Sequence, residues 1–346
     1  MKNIFTHIDA KEKLNEHFLL LDQFKAFNPA KKLIEEIAAE FEDKDGNFIQ
    51  QFQTSGFDAR MWELFLFKFF KTNDFEILND VDRPDFHLVK DGFEFFVEAS
   101  TSNEKKDDVY TKEFITKALD NNDIQIQNEL IDYYVIRMGS VLFSKLNKKY
   151  WELEWIHGKA LVFAISPFHD YLAKFLPNSK IIEYLYGFKY NTEITEKGLE
   201  LKNVEVVEEH KHGIKEIPSN FFSQENAENI SAIIFTNNSD LHKFNRIGQE
   251  LELSTEKIAM VRSGLAYNPD PNSTHIEFTH NIIPGKVRED WNESVTMFHN
   301  PNAVNPIDHK MFPNIHHVWL NAEGKLDGIM PEFFVYNSIT GTMIME

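Results

Sequence analysis

The chain has 346 residues, long enough for one elaborated domain or two compact ones. Its 36 Lys and Arg stand against 55 Asp and Glu, and the formal net charge of −19 excludes a protein that coats nucleic acid or an anionic membrane with a broadly basic surface. There is no cysteine, so disulfide frameworks, thiolate zinc sites and cysteine nucleophiles are excluded together.

The balance of 42% hydrophobic and 26% charged residues is that of a globular chain, with core volume drawn heavily from 32 Phe. Met1-Lys2-Asn3-Ile4 runs straight into charged helical sequence and lacks the apolar stretch of a signal peptide. Nothing approaches the ~18–20 apolar residues of a membrane span. A soluble, cytoplasmic protein is expected. Helical spacing of Leu14, Phe18, Leu21 and Phe24 predicts a helix over 9–27, and Leu33, Ile34, Ile37 and Phe41 predict a second over 30–42, with Asn28-Pro29 between them. Ser55 or Asp58 is placed to cap a third helix from Ala59 to Phe70, apolar nearly all round and therefore packed on more than one side.

A short strand at Phe75–Leu78 follows. Asp85–Val89 and Phe93–Ser100 flank Lys90-Asp91-Gly92, a hairpin signal in which Asp-Gly supplies the left-handed turn backbone. Residues 111–149 read as mainly helical, the stronger helix running from Ile124 to Tyr150 with a weak point at Gly139-Ser140. Lys159–Ile165 reads as a buried strand ended by Pro167. Ile181–Phe188 fits a helix end or a strand, residues 190–215 a charged hairpin, and Ile230–Phe235 a short strand. The Pro- and Asn-rich last hundred residues suggest irregular structure with short strands. The expected fold class is α/β, divided as an N-terminal helical cap over 1–54, a core over 55–250 and a C-terminal α+β elaboration over 251–346.

Three carboxylates carry the chemistry. Glu63 lies among Trp62, Leu64, Phe65, Leu66 and Phe67, and a charge in such company finds a cation, takes up a proton or is avoided. It reads either as an i,i+3 partner of Arg60 on a plain exposed stripe or as a ligand in a site. Asp85 follows Pro84 at the start of the hairpin. Alternation sets Phe93, Phe95, Val97 and Ala99 on one face and Glu94, Phe96 and Glu98 on the other, so Asp85 and Glu98 meet at one end of the hairpin. Two carboxylates brought together repel unless a proton or cation lies between them, and magnesium or manganese suits oxygen ligands.

A helical Glu63, then Pro84-Asp85, then Glu98 thirteen residues on, in the order helix, three-stranded meander, helix, strand, resembles the PD-(D/E)XK, or restriction-endonuclease-like, nucleases over roughly residues 55–170. The resemblance implies Asp85 and Glu98 as metal ligands, Glu63 as the helical glutamate supporting the metal, and Mg²⁺ or Mn²⁺ as cofactor. The third motif departs from the pattern: Glu98-Ala99-Ser100 stands where Glu-X-Lys is expected. The lysine that would stabilise charge on phosphate then has to come from elsewhere. Lys145 on the following helix is the candidate, with Arg137 two turns earlier and Lys105 and Lys106 as alternatives. The segments Arg137–Lys145 and Lys243–Gly248 also resemble uncharacterised bacterial proteins. Arg137, Lys148 and Lys149, extended by Lys243 and Arg246, would form a nucleic-acid-binding face, against the plainer reading of a solvated charge run.

The implied function is a metal-dependent nuclease acting on nucleic acid, DNA rather than RNA, in defence or restriction, as a homodimer or with a partner protein of a defence system. Its rival is a catalytically silent nuclease-like domain that binds nucleic acid or a partner protein. A third reading places a metal on His210, His212, His299, His309, His316 or His317, but none of these makes a His-Glu-X-X-His pattern. No Walker, dinucleotide or nucleophile-elbow motif occurs.

Overall fold

The computed structural model describes residues 3–8, 13–44, 46–103, 110–121, 123–168, 170–196, 198–270 and 275–345. The N-terminal helices are α1 (Glu16–Gln23), α2 (Asn28–Glu40) and α3 (Phe48–Gln53). Helix α1 starts at Asn15, whose side chain accepts the His17 and Phe18 N–H groups, later than the predicted start; residues 9–12 lie outside the described residues. Pro29 does not break the chain: it sits in the first turn of α2, where a missing N–H costs nothing. Helix α4 (Phe57–Thr72) follows, with Gly56 at its N-cap rather than Ser55 or Asp58.

Strands β1 (Glu76–Leu78), β2 (Phe86–Lys90) and β3 (Phe93–Asn103) form an antiparallel meander. Asp91 and Gly92 take the positive φ values, 51° and 78°, that the tight turn requires. Helices α5 (Lys112–Asp120) and α6 (Ile124–Leu146) lead to β4 (Ala160–Phe168), which lies parallel beside β3. The predicted weak point at Gly139-Ser140 does not interrupt α6. A Cβ at Gly139 would fall 2.7 Å from the Tyr184 ring, so glycine lets that ring pack against the helix. Helix α7 (Asn178–Tyr186) stops at Gly187 in the left-handed region, and two hairpins follow: β5 (Phe188–Thr195) with β6 (Gly198–Val206), then β7 (Glu209–His212) with β8 (Lys215–Pro218).

The rest comprises β9 (Ala232–Phe235), α8 (Leu241–Glu250), β10 (Ile258–Ala266), β11 (Ile276–Ile282), β12 (Thr296–His299), β13 (His316–Leu320), β14 (Leu326–Ile329) and β15 (Val335–Ile344). The main sheet has eight strands in the order β1-β2-β3-β4-β9-β12-β13-β14, with β3, β4 and β9 parallel. Thus β12 to β14, from the stretch expected to be irregular with short strands, extend the central sheet. Strands β11, β10 and β15 form a second, antiparallel sheet.

Side-chain alternation gives the main sheet two apolar faces. Phe95, Val97, Val162 and Ala164 pack on the side of α4, α2 and α8. Phe96, Leu161, Phe163 and Ile165 pack on the side of α6 and α7. The molecule is therefore mixed α/β, a large mixed sheet with helices on both faces. Among the described residues no helix is long and apolar enough to cross a membrane.

Candidate functional site

The β2–β3 register pairs Phe86 with Val97, so one further step brings Asp85 opposite Glu98. Asp85 Oδ2 accepts the Ala99 N–H at 2.7 Å, which fixes its carboxylate at the mouth of the hairpin. Glu98 shares strand parity with Phe96 and turns to the α6 face. It is only 4% exposed, which demands partners for its charge. It has two: Glu98 Oε1 accepts from the Lys145 ammonium and, at 2.7 Å, from the Tyr150 hydroxyl. Burial, then Glu98, push the Tyr150 phenol far above its ordinary range, so it remains a donor.

Glu63 approaches from α4. Its Oε2 accepts from Arg60 Nη1 at 2.6 Å, the i,i+3 pairing that was one of its two sequence readings. Gln51 and Asn47 accept from the same guanidinium and hold it against the helix. Glu63 and Asp85 nevertheless share the wall of one cavity of about 60 Å³ between α4 and the β1–β2 edge. That is room for roughly two waters.

Glu98 and Glu63 act on Asp85. Desolvation, followed by the charges of Glu98 and Glu63, pushes the Asp85 pKa up to about 8. Asp85 keeps solvent access as a residue, which limits the desolvation part; the upward direction rests also on two like charges. Among the described residues no three carboxylates or imidazoles converge into a ready-made metal cage. The donor chemistry still fits a hard divalent cation, which commonly keeps several waters and takes only one or two carboxylates. Asp85, with Glu63 across the small cavity or with Glu98 beside it, would hold that ion.

The structure sets Asp85 opposite Glu98, puts the Lys145 ammonium on Glu98 and places Glu63 on the wall of the cavity that Asp85 also lines, and it divides the predicted basic face. Lys148 and Lys149 are exposed just past the end of α6, beside Lys145. Arg137 is turned inward: its Nη2 donates to the Asn103 carbonyl at 2.6 Å and its guanidinium lies 6.0 Å from the Tyr133 ring centre. Lys243 and Arg246 do not belong to that surface at all. They are 0% and 1% exposed. Arg246 donates to both oxygens of Glu289, at 2.6 and 2.8 Å, and Lys243 reaches Glu289 at 3.2 Å. Burial opposes charge on Glu289, yet Arg246, Arg262 and Lys243 hold its carboxylate far below the usual range. Four of the charges in this stretch thus make an internal ion cluster, because each buried charge there has a partner. Lys105 and Lys106 lie outside the described residues.

Three supporting residues escaped the sequence reading. Tyr150 sits in a short 3₁₀ turn (Tyr150–Glu152) after Lys149, whose left-handed φ of 52° redirects the chain toward the hairpin. Nothing local in the sequence points from Tyr150 to Glu98. Gln51 and Asn47, which anchor Arg60, carry no motif either. The candidate histidines have packing partners: His210 with Ser219 at 2.6 Å, His212 with Tyr110, His316 with Thr296, and His299 with His317 at 2.9 Å, while His309 stacks on Trp319. Comparison with protein-family models, with curated proteins and with solved structures finds no match for the chain.

Proposed function

We propose that this chain is a metal-dependent nuclease with a restriction-endonuclease-like core, hydrolysing phosphodiester bonds in nucleic acid, DNA rather than RNA. The observation that carries the reading is Asp85 opposite Glu98 at the mouth of the hairpin, with the Lys145 ammonium on Glu98 and Glu63 on the wall of the cavity that Asp85 also lines. Support also comes from topology: α4, then the β1–β2–β3 meander, then α6, then β4 parallel beside β3. Where Ser100 stands in the lysine position of the third motif, α6 supplies an ammonium to the same carboxylate.

A magnesium or manganese ion, when bound, polarises a phosphate and lowers the pKa of an attacking water. The chain's own residues set the stage for this. Asp85 and Glu63 present oxygens across the cavity. Glu98, gripped by Tyr150, orients Lys145 so that its charge is available to a phosphate oxygen. Lys148 and Lys149 give the DNA backbone a local positive approach that the net charge of −19 does not offer elsewhere. A cytoplasmic role in defence or restriction, as a homodimer or with a partner protein, follows by analogy with the family.

One observation favours the rival, a catalytically silent domain that binds nucleic acid or a protein: Glu63 and Glu98 each already carry a cationic partner, Arg60 and Lys145. Plasmid and single-stranded DNA incubated with Mg²⁺ or Mn²⁺ separate the two. Cleavage is expected from the natural chain and none from Asp85→Ala or Glu98→Ala. Lys145→Met should slow cleavage by roughly 10²–10³-fold, the scale for losing one charge-stabilising donor. Cleavage retained by both carboxylate variants would discard the site, and binding without cleavage in every metal would establish the silent domain.

A further inference from the structure

Of the five tryptophans, Trp155 alone is exposed, at 38% of its surface, although tryptophan is a side chain that folding usually buries in large part. The other four fill the interior or its margins. Trp62 stacks on Phe65, Trp291 meets Phe244 edge-on, Trp319 lies flat on His309, and Trp151 packs at the border of the core beside α6. Among the described residues no ring or cation lies against Trp155. Core packing therefore does not account for it.

The residue is nevertheless held in place. It lies in the turn between the 3₁₀ segment that carries Tyr150 and strand β4. The Ile156 and His157 N–H groups close that turn on the Leu153 carbonyl, and the Lys159 N–H closes it on the Ile156 carbonyl. The indole Nε1 donates to the Arg83 carbonyl at 2.9 Å. With its polar edge satisfied, the ring offers solvent a flat apolar plane. The same anchor sets where that plane stands. Arg83 precedes Asp85 by two residues, at most about 7 Å of chain. Burial and Glu98 push the Tyr150 phenol up and the Arg83 charge opposes them, so Arg83 is within electrostatic reach of the Glu98–Tyr150 pair. Trp155 therefore stands on the rim of the carboxylate site.

We propose that Trp155 is a stacking platform for an unpaired base, so that the nucleic acid preferred at the carboxylate site is single-stranded or locally unpaired. This rests on the nuclease reading of that site and adds the strand state of its substrate. Bases inside a duplex are covered above and below by their neighbours and offer a lone indole only their edges. An unpaired base presents a free face, and every base has one, so the contact selects strand state rather than sequence. Stacking also suits the charge of the chain. At a net charge of −19 few cations are free to neutralise phosphates, and an aromatic plane attracts a base without them.

Fluorescence anisotropy on the full chain tests the assignment with a labelled oligothymidylate and a labelled duplex of equal length, Ca²⁺ replacing Mg²⁺ as the oxygen-liganded ion. The natural chain should bind the strand about tenfold or more tighter than the duplex, the scale of one stacked base. Trp155→Ala should bind the strand about tenfold more weakly and the duplex as before. Trp155→Phe keeps a ring but loses the anchor to Arg83, and should stay within about threefold of the natural chain. A strand of abasic sugars and phosphates should not distinguish the natural chain from Trp155→Ala. The loss in Trp155→Ala should persist from about 50 to about 200 mM salt, because stacking releases no counterions. Equal affinity of the natural chain for strand and duplex, no binding of either, or undiminished strand binding by Trp155→Ala would overturn the proposal. Cleavage assays fail separately. Cleavage by the natural chain with no effect of Trp155→Ala on binding leaves a nuclease without this platform, and strand binding that depends on Trp155 without cleavage in any metal leaves the platform on a silent domain.

Discussion

Asp85 is partly desolvated and pressed by two other carboxylates, so it holds its proton more tightly in the folded chain than in the unfolded one. Between the ordinary value of 3.8 and about 8 the folded state therefore carries protonation that the unfolded state has lost, and stability declines as pH rises through that interval. Asp85→Asn removes the penalty. The variant should match the natural chain near pH 4 and exceed it by about 1–2 kcal/mol at pH 8, a figure kept small because Asp85 retains solvent access. Urea unfolding at pH 4, 6 and 8 measures the gap. Millimolar Mg²⁺ should narrow it at pH 8 by stabilising the natural chain alone. A gap that stays constant from pH 4 to pH 8 would show that Asp85 titrates as an ordinary surface carboxylate.

Helix α8 illustrates how an element can be misread residue by residue. Its ten residues, LHKFNRIGQE, look half solvated, yet all but His242 are buried. The helix docks on α2 through Asn245, which accepts the Ala30 N–H at 3.1 Å and donates to the Ala26 carbonyl at 3.0 Å. Gly248 permits the approach: a Cβ there would lie 2.3 Å from the Pro29 carbonyl oxygen, a backbone atom that cannot step aside. Gly248→Ala should lower stability by about 1–3 kcal/mol, overriding the better helix propensity of alanine. A thermal melt in which the variant gains stability would mean that the two helices do not meet this closely. The partner of Lys243 and Arg246, Glu289, lies some forty residues on, so no local pattern announces it and a basic pair reads as surface. By contrast, α4 and the β2–β3 hairpin were legible because their signals are local: an all-round apolar run, a two-residue alternation and an Asp-Gly turn. The same locality made Asp85 and Glu98 readable as a pair, while Tyr150, fifty-two residues from Glu98, left no trace. Short strands were expected in this stretch, but that β12 to β14 join the central sheet was not legible for a related reason. They are four or five residues long, and their place in the sheet depends on β9 rather than on alternation of their own.

At the scale of the whole molecule two electrostatic effects pull in opposite directions as pH falls. With a net charge of −19, protonating surface carboxylates relieves self-repulsion and favours the compact state. The buried histidines do the reverse. Burial above all, reinforced by neighbouring positive groups, lowers His210 and His317 to about 4 and His299 and His316 to about 3. In the β12–β13 region the reason is visible in the bonding. His317 Nε2 donates to the Phe312 carbonyl, so its Nδ1 must accept from His299 Nε2, and a further proton on His317 Nδ1 would set two donors against each other. The unfolded chain takes protons below pH 6.5 that the folded chain refuses. Stability present above that pH is therefore lost as pH falls toward 4. Each fully excluded histidine accounts for about 2 kcal/mol between pH 7 and pH 5. On an Asp85→Asn background, free of the opposing contribution of that residue, the urea midpoint should drop between pH 7 and pH 5. Amide hydrogen exchange should show β12 and β13 losing protection before α4 and β3 do. His317→Gln should flatten the acid limb even though it lowers stability at pH 7. A midpoint that instead rises across this range would mean that relief of surface repulsion outweighs the histidines, and that the β12–β13 cluster is open enough to accept protons while folded.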